Sequence, residues 1–276
     1  MSPVQFDMSG RVAIVTGASD GMGKASAELL AASGARLVIA ARTQSKLEAV
    51  ASDLNARFGN GETIAVAVAG DLGEKAHLQA LVDTAIARFG TLTNLLCSPA
   101  IRPWIGSSIE TPDDVFDQQL LYVLKSRFWL SSMAIPQMIN AGVGSIVYIG
   151  SGSVFEATTE RSINCIARAG EMQMMKNFAA EFGRYNVRAN WIAPGMIESS
   201  GSKALFASDE GTKRIAGLPL RRGGRTEEIA MAAAFLSSDA SSFTTGAVLP
   251  VDGGRLLHAV DGMLTKAGYD GSSTGS

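Results

Sequence analysis

Apolar residues along this chain follow two alternating rhythms. Short runs rich in Val and Ile fall at Val12–Val15, Leu37–Ala40, Ile64–Val68, Leu95–Cys97, Ile146–Ile149, Val187–Ile192 and Ala247–Val251. Consecutive apolar positions bury both faces, as strands held between two helical layers require. Between the runs the spacing changes to three and four. Met22, Ala25, Ser26, Leu29 and Leu30 share one helix face, and Ile163, Ala167, Gly170, Met174, Phe178 and Phe182 share another. This alternation predicts an α/β fold: a single-domain, doubly wound, Rossmann-like parallel sheet of seven strands with helices on both faces. No linker divides residues 1–276, so the chain reads as one domain with a core over about 6–254 and a tail over 255–276. The tail's end, Gly271–Ser276, reads as frayed. The polar stretch Ser199–Gly217 follows a strand end and reads as a mobile helical insertion over a site.

Composition narrows the function classes. With 46% hydrophobic and 18% charged residues in 276, there is apolar material for one sizeable core, which excludes a disordered chain or a disulfide-stapled miniature. Lys and Arg number 24 against 26 Asp and Glu, so no basic field points to nucleic acid. No apolar run reaches the roughly 18 residues of a membrane span, and no membrane partner is expected. Met1–Gly10 lacks the charged-then-apolar pattern of a secretory signal. Cys97 and Cys165 form no CxxC, and His77 and His258 lie far apart. No metal site is expected, and the expected location is the reducing cytoplasm.

The strongest local signal is Thr16-Gly17-Ala18-Ser19-Asp20-Gly21-Met22-Gly23, set between a strand and a helix. Gly17 permits a tight turn, Gly21 a close approach to a pyrophosphate, and Gly23 close packing of helix on strand. Phosphates then meet the free N–H groups and positive end of the helix. In this TGxxxGxG spacing the chain resembles the short-chain dehydrogenase/reductase family, over about Phe6 to Gly254. Asp71-Leu72 stands where the family sets an acid against the adenine. Asn190-Trp191-Ile192-Ala193-Pro194-Gly195, with Ile197 just beyond, resembles the segment bordering the nicotinamide. Val251-Asp252-Gly253-Gly254 resembles the closing strand motif, and Glu227–Ala230 with Phe235–Asp239 the helix before it. The resemblance implies a nicotinamide cofactor, a small-molecule substrate and a homo-oligomer, tetramer or dimer. NAD-binding members usually end the second strand on an acid; here Ala41 stands there and Arg42 follows. An acid repels a 2′-phosphate and an arginine grips it, so NADP(H) is favoured over NAD(H). Asp20 points the other way, since phosphate-binding members often place a base at that spot.

The family's proton chemistry uses a tyrosine, a lysine four residues later on the same helix face, a serine on the preceding strand and an asparagine on an earlier helix. Here the tyrosines Tyr122, Tyr148, Tyr185 and Tyr269 are followed four residues on by Ser126, Gly152, Ala189 and Ser273, so no YxxxK occurs. Registering on Ala179-Ala180-Glu181 and Asn190–Gly195 puts Asn164 at the tyrosine position and Arg168 at the lysine position. Ser151 is kept, Val123 falls at the asparagine position, and Cys97-Ser98-Pro99-Ala100 replaces the family's NNAG. Asn164 hydrogen-bonds but exchanges no proton near neutral pH. Arg168 is expected to clamp ribose hydroxyls or an oxyanion, with a pKa above about 12 that bars it from acid catalysis. Tyr148 is expected on the far side of the pleat from Ser151. Cys165 is expected to be a small buried residue. Arg102 and Trp104, after the fourth strand, are placed for a flat or anionic substrate, and Glu156, with Glu160 and Arg161, for the same pocket.

The expected function is therefore an NADP(H)-dependent oxidoreductase with a non-standard site built on Ser151, Asn164 and Arg168. Its substrate would be an activated C=C, C=N or carbonyl of a small organic molecule. The dienoyl reductases likewise lack the tyrosine, though they keep the lysine. The alternatives are a lyase or isomerase on the same scaffold, or a non-catalytic dinucleotide-binding protein. Halohydrin dehalogenases resemble the chain in an arginine at the lysine position, but keep the tyrosine and lose the glycine motif.

Overall fold

The computed structural model describes residues 6–98, 101–157 and 159–257. Its strands are β1 (Val12–Thr16), β2 (Arg36–Ala41), β3 (Ala65–Ala69), β4 (Asn94–Cys97), β5 (Gly144–Ile149) and β6 (Val187–Pro194), with β9 (Val248–Val251) closing the sheet. They form one seven-stranded sheet in the order β3-β2-β1-β4-β5-β6-β9, parallel throughout. The expected strands lie within two residues of these at either end. Between β6 and β9, β7 (Ile197–Glu198) and β8 (Gly224–Arg225) make a separate two-stranded ribbon that the apolar pattern does not predict. Two residues per strand are too few to carry a period.

The helices are α1 (Gly21–Ala32), α2 (Gln44–Phe58), α3 (Lys75–Phe89), α4 (Asp113–Leu120), α5 (Ser126–Asn140), α6 (Ser162–Phe182), α7 (Lys203–Phe206), α8 (Asp209–Ala216) and α9 (Thr226–Ser237). One apolar cluster joins Leu30, Leu47, Leu54 and Ile229 of α1, α2 and α9 to Val15, Leu37 and Ile39 on one sheet face. The other joins Leu78, Leu81, Leu130 and Met175 of α3, α5 and α6 to Ile14, Leu95 and Trp191 on the opposite face. Each fully buried side chain of this size stabilises by about 1.5–3 kcal/mol relative to exposure. The chain runs from β1 outward to β3, then back across to β4 and outward to β6. The strand order therefore reverses between β1 and β4, which opens a crevice at the carboxyl ends of the strands. Among the described residues no helix is long and apolar enough to cross a membrane.

Candidate active site

Each strand of the sheet leads into one cleft of about 1360 Å³. Gly17, Ser19, Asp20, Gly21 and Met22 line it after β1, Arg42 after β2, and Asp71 and Leu72 after β3. Ser98 follows β4, Ser151 follows β5, Pro194, Gly195 and Ile197 follow β6, and Arg255 follows β9. Predicted residues from six separate strand ends thus meet at one end of the sheet.

The glycine-rich turn fits a dinucleotide. Gly17 and Gly21 hold φ of +64° and +55°, a region that favours glycine. A Cβ on Gly23 would lie 2.3 Å from the Gly17 carbonyl oxygen, so the turn needs a bare glycine to close on its helix. Thr16 and Gly23 lie beneath this surface. The Ser98 amide donates to the Thr16 hydroxyl at 3.2 Å, tying β1 to β4. Asp20 caps α1 by accepting the Gly21 amide at 2.7 Å, and it also accepts the Ser200 hydroxyl. The Ser200 bond, then the Gly21 bond and the nearby Lys46 and Lys24 charges, hold its carboxyl below the usual range. Asp71 accepts the Gly73 amide and the Tyr122 hydroxyl, both at 2.8 Å. Burial, then the Asp71 bond, raises the Tyr122 pKa. Arg42 stands exposed on the cleft wall and makes no ion pair among the described residues.

At the other end, Ser151 shares a 2.9 Å hydrogen bond with the Ser153 hydroxyl and accepts the Ser153 amide at 3.2 Å. Asn164 is buried and donates to Gln119 at 3.3 Å, while Gln119 donates to the Arg102 carbonyl at 2.9 Å. Gln119 is a polar residue that sequence reasoning missed. It lies one helical turn before Val123, which is itself buried in a turn of π-helix over Leu121–Lys125. The only sequence signal was that i, i+4 spacing.

Arg168 departs from expectation. The residue is 3% exposed, and its guanidinium donates to Glu171 at 2.8 Å and to the Ile149 carbonyl at 3.4 Å, away from the cleft. Arg127 pairs with the same carboxylate, and the Trp191 ring N–H reaches it at 3.3 Å. The expected ribose clamp or oxyanion partner is therefore not met in this arrangement, because the buried Glu171 carboxylate takes the guanidinium. Burial first, and then the Arg127 charge, press the Arg168 pKa well below its ordinary value.

Other expectations divide. Arg102, Glu160 and Arg161 line the cleft. Trp104 does not: its half-buried ring packs on Gly106, where a Cβ would come within 2.4 Å of it. Glu156 stands behind the wall and pairs with Arg255, a lining residue the sequence did not single out. Tyr148 is fully buried against Ser131 at 2.5 Å, on the side away from Ser151. Cys165 is half-buried rather than buried, since its place near the start of α6 leaves one side open. The stretch Ser199–Gly217 is helical in part, as α7 and α8, and Leu205, Phe206 and Lys213 line the cleft. Pro99, Ala100, His258, Tyr269 and the tail from 258 lie outside the described residues.

A doubly wound parallel sheet with a glycine-rich first turn and a cleft along its carboxyl edge defines a dinucleotide-fold protein. Comparison with known proteins narrows this. A family model described as "Enoyl-(Acyl carrier protein) reductase" matches residues 17–255. The chain is 31% identical to "Dehydrogenase/reductase SDR family member 4" of Bos taurus, over 91% of this chain and 89% of that protein. It is 35% identical to "Trans-4-hydroxycyclohexanecarboxylate dehydrogenase" of Sinomonas cyclohexanicum, over 92% and 96%. Among solved structures it is similar to L-sorbose reductase from Gluconobacter frateurii complexed with NADPH and L-sorbose, at TM-score 0.85 and 27% identity over 93% and 100% of the two chains. The chain belongs to the short-chain dehydrogenase/reductase family, whose members are oxidoreductases that bind a nicotinamide dinucleotide.

Proposed function

We propose that this chain is an NADP(H)-dependent oxidoreductase whose proton-transfer groups differ from the family's usual pair. The observation that carries the reading is a single cleft holding both the glycine-rich turn and Ser151. The glycine turn, Arg42, Asp71 and the Pro194–Ile197 segment would hold the dinucleotide, which supplies hydride chemistry when bound. Arg42 stands free to meet a 2′-phosphate, and Asp20, the one local acid that argues against NADP, has its charge engaged by Gly21 and Ser200. Ser151 presents a hydroxyl to the cleft, kept in place by Ser153. Asn164 holds the Arg102 loop through Gln119 rather than moving a proton. With no tunable acid at the tyrosine position, the site suits substrates whose developing charge is stabilised by donors, with water giving the proton. Activated C=C, C=N and carbonyl groups are such substrates.

The burial of Arg168 favours one second reading, a dinucleotide-binding protein without turnover. Titrating the protein with NADPH and then following NADPH oxidation over a panel of enones, imines and ketones separates the two. Binding with turnover supports the first; binding without turnover supports the second. The double variant Asn164→Tyr, Arg168→Lys tests the register. Carbonyl reduction should appear or rise by a factor within the roughly 10²–10⁴ range of general acid–base help. A parent that already oxidises simple secondary alcohols with a bell-shaped pH profile would contradict the reading.

A further inference from the structure

The substrate end of the cleft is more basic than the cofactor end. Three arginines face it from three separate loops: Arg102 after β4, Arg161 at the start of α6, and Arg255 after β9. Their loops are tied together there. The Arg102 carbonyl receives Gln119, which in turn receives Asn164 of α6. The Gly106 amide donates to the Glu160 carbonyl at 2.9 Å, joining the β4 loop to the segment before α6. Arg255 is placed most closely. A Cβ built on Gly152, next to Ser151, would stand 3.7 Å from its Nη1 atom. Its Nη2 atom is held by Glu156, which fixes the guanidinium with Nη1 on the side of Gly152, the residue after Ser151.

We propose that the substrate carries a carboxylate, and that Arg255, oriented by Glu156 beside Ser151, binds it, with Arg161 and Arg102 supplying the surrounding positive field. This rests on the oxidoreductase reading above and names the substrate class for that same cleft. The charge there is net positive: Arg102, Arg161 and Arg255, with Lys213 and Arg214 of α8, face Glu160, Glu210 and the Glu156 partner of Arg255, which suits an anion. A planar carboxylate also suits the edge of a guanidinium that already has one partner.

The test uses the full chain loaded with NADPH. Binding of cyclohexanecarboxylate, its amide and cyclohexyl phosphate is followed by ligand-detected NMR, and NADPH binding is titrated on the same samples. The carboxylate should bind at least about tenfold more tightly than the amide, the scale of one charge-assisted hydrogen bond. Arg255→Gln should abolish that preference while NADPH still binds, and Arg255→Lys should keep part of it. Equal binding of carboxylate and amide, tighter binding of the phosphate, no detectable binding of the carboxylate, or an unchanged preference in Arg255→Gln would each overturn the proposal. Absence of NADPH binding would instead strike the oxidoreductase reading, so the two failures are distinguishable.

Discussion

At the scale of single residues, charge placement decides most of what this site does. Arg42 is exposed and without an ion pair among the described residues, so its guanidinium has little to give up on meeting a 2′-phosphate. Arg42→Ala should weaken NADPH binding by about 1–3 kcal/mol and leave NADH nearly unchanged, measured by fluorescence titration of both cofactors. Equal affinity for the two in the parent would refute the NADP preference. Glu171 is the opposite case, a fully buried carboxylate shared by Arg127, Arg168 and the Trp191 ring. Replacing it with Gln leaves two buried guanidinium groups without a counter-charge, and breaking a buried pair costs about 3–5 kcal/mol. Urea denaturation of Glu171→Gln should show a loss of that size; less than about 1 kcal/mol would mean that the arginines find other partners. Nothing in the sequence announced this cluster. Arg168 and Glu171 share a helix face at i, i+3, but Arg127 comes from another helix and Trp191 from a strand.

At the scale of elements, strands and long helices were legible because their periods are set by burial. The seven runs became seven strands, and the glycine turn opened α1 as its spacing implies. Short elements were not legible. The insertion over the cleft appeared only as a polar stretch, since α7 and α8 are too short to show a period and are held by turns, caps and the Ser200–Asp20 contact. The start of α9 is fixed by Glu228, which accepts the Arg225 amide at 2.8 Å and a two-pronged contact from Arg222. The Arg222 bond and the Arg225 amide lower the Glu228 pKa from an ordinary 4.5 to about 2. A carboxyl depressed on folding adds stability above its unfolded pKa and loses it as pH falls towards its folded one. Glu228→Gln should therefore be less stable than the parent at pH 7. The two should converge as pH drops from about 4.5 to about 2, in thermal melts at matched salt, with a small difference because the pair is partly exposed. A constant difference across that range would show that the charge is not the cause.

At the scale of the whole molecule, the sheet edge and helix faces carry the remaining expectation. β9 is only half-buried, and Phe116, Phe128 and Ile166 of α4, α5 and α6 are exposed, as are Met231 of α9 and Phe243 beyond it. We propose that copies of this chain pack across these two regions as a homotetramer with closed symmetry. Light scattering should give four times the 28.8 kDa chain mass, and a monomer at micromolar concentration would contradict it. The sequence by itself determined the doubly wound fold, the position of the dinucleotide turn and the fact that no tyrosine is followed four residues on by a lysine. Each is a matter of local period or local spacing, and the chain states those in its own order. Tertiary structure alone decided where the polar side chains around the cleft turn. Arg168 goes to a buried carboxylate, Asn164 to Gln119, and Arg255 comes to Gly152, beside Ser151, from the far edge of the sheet. Those choices depend on which buried polar group must be satisfied and on what lies nearest in space, and the parallel crossovers bring together residues that lie far apart along the chain.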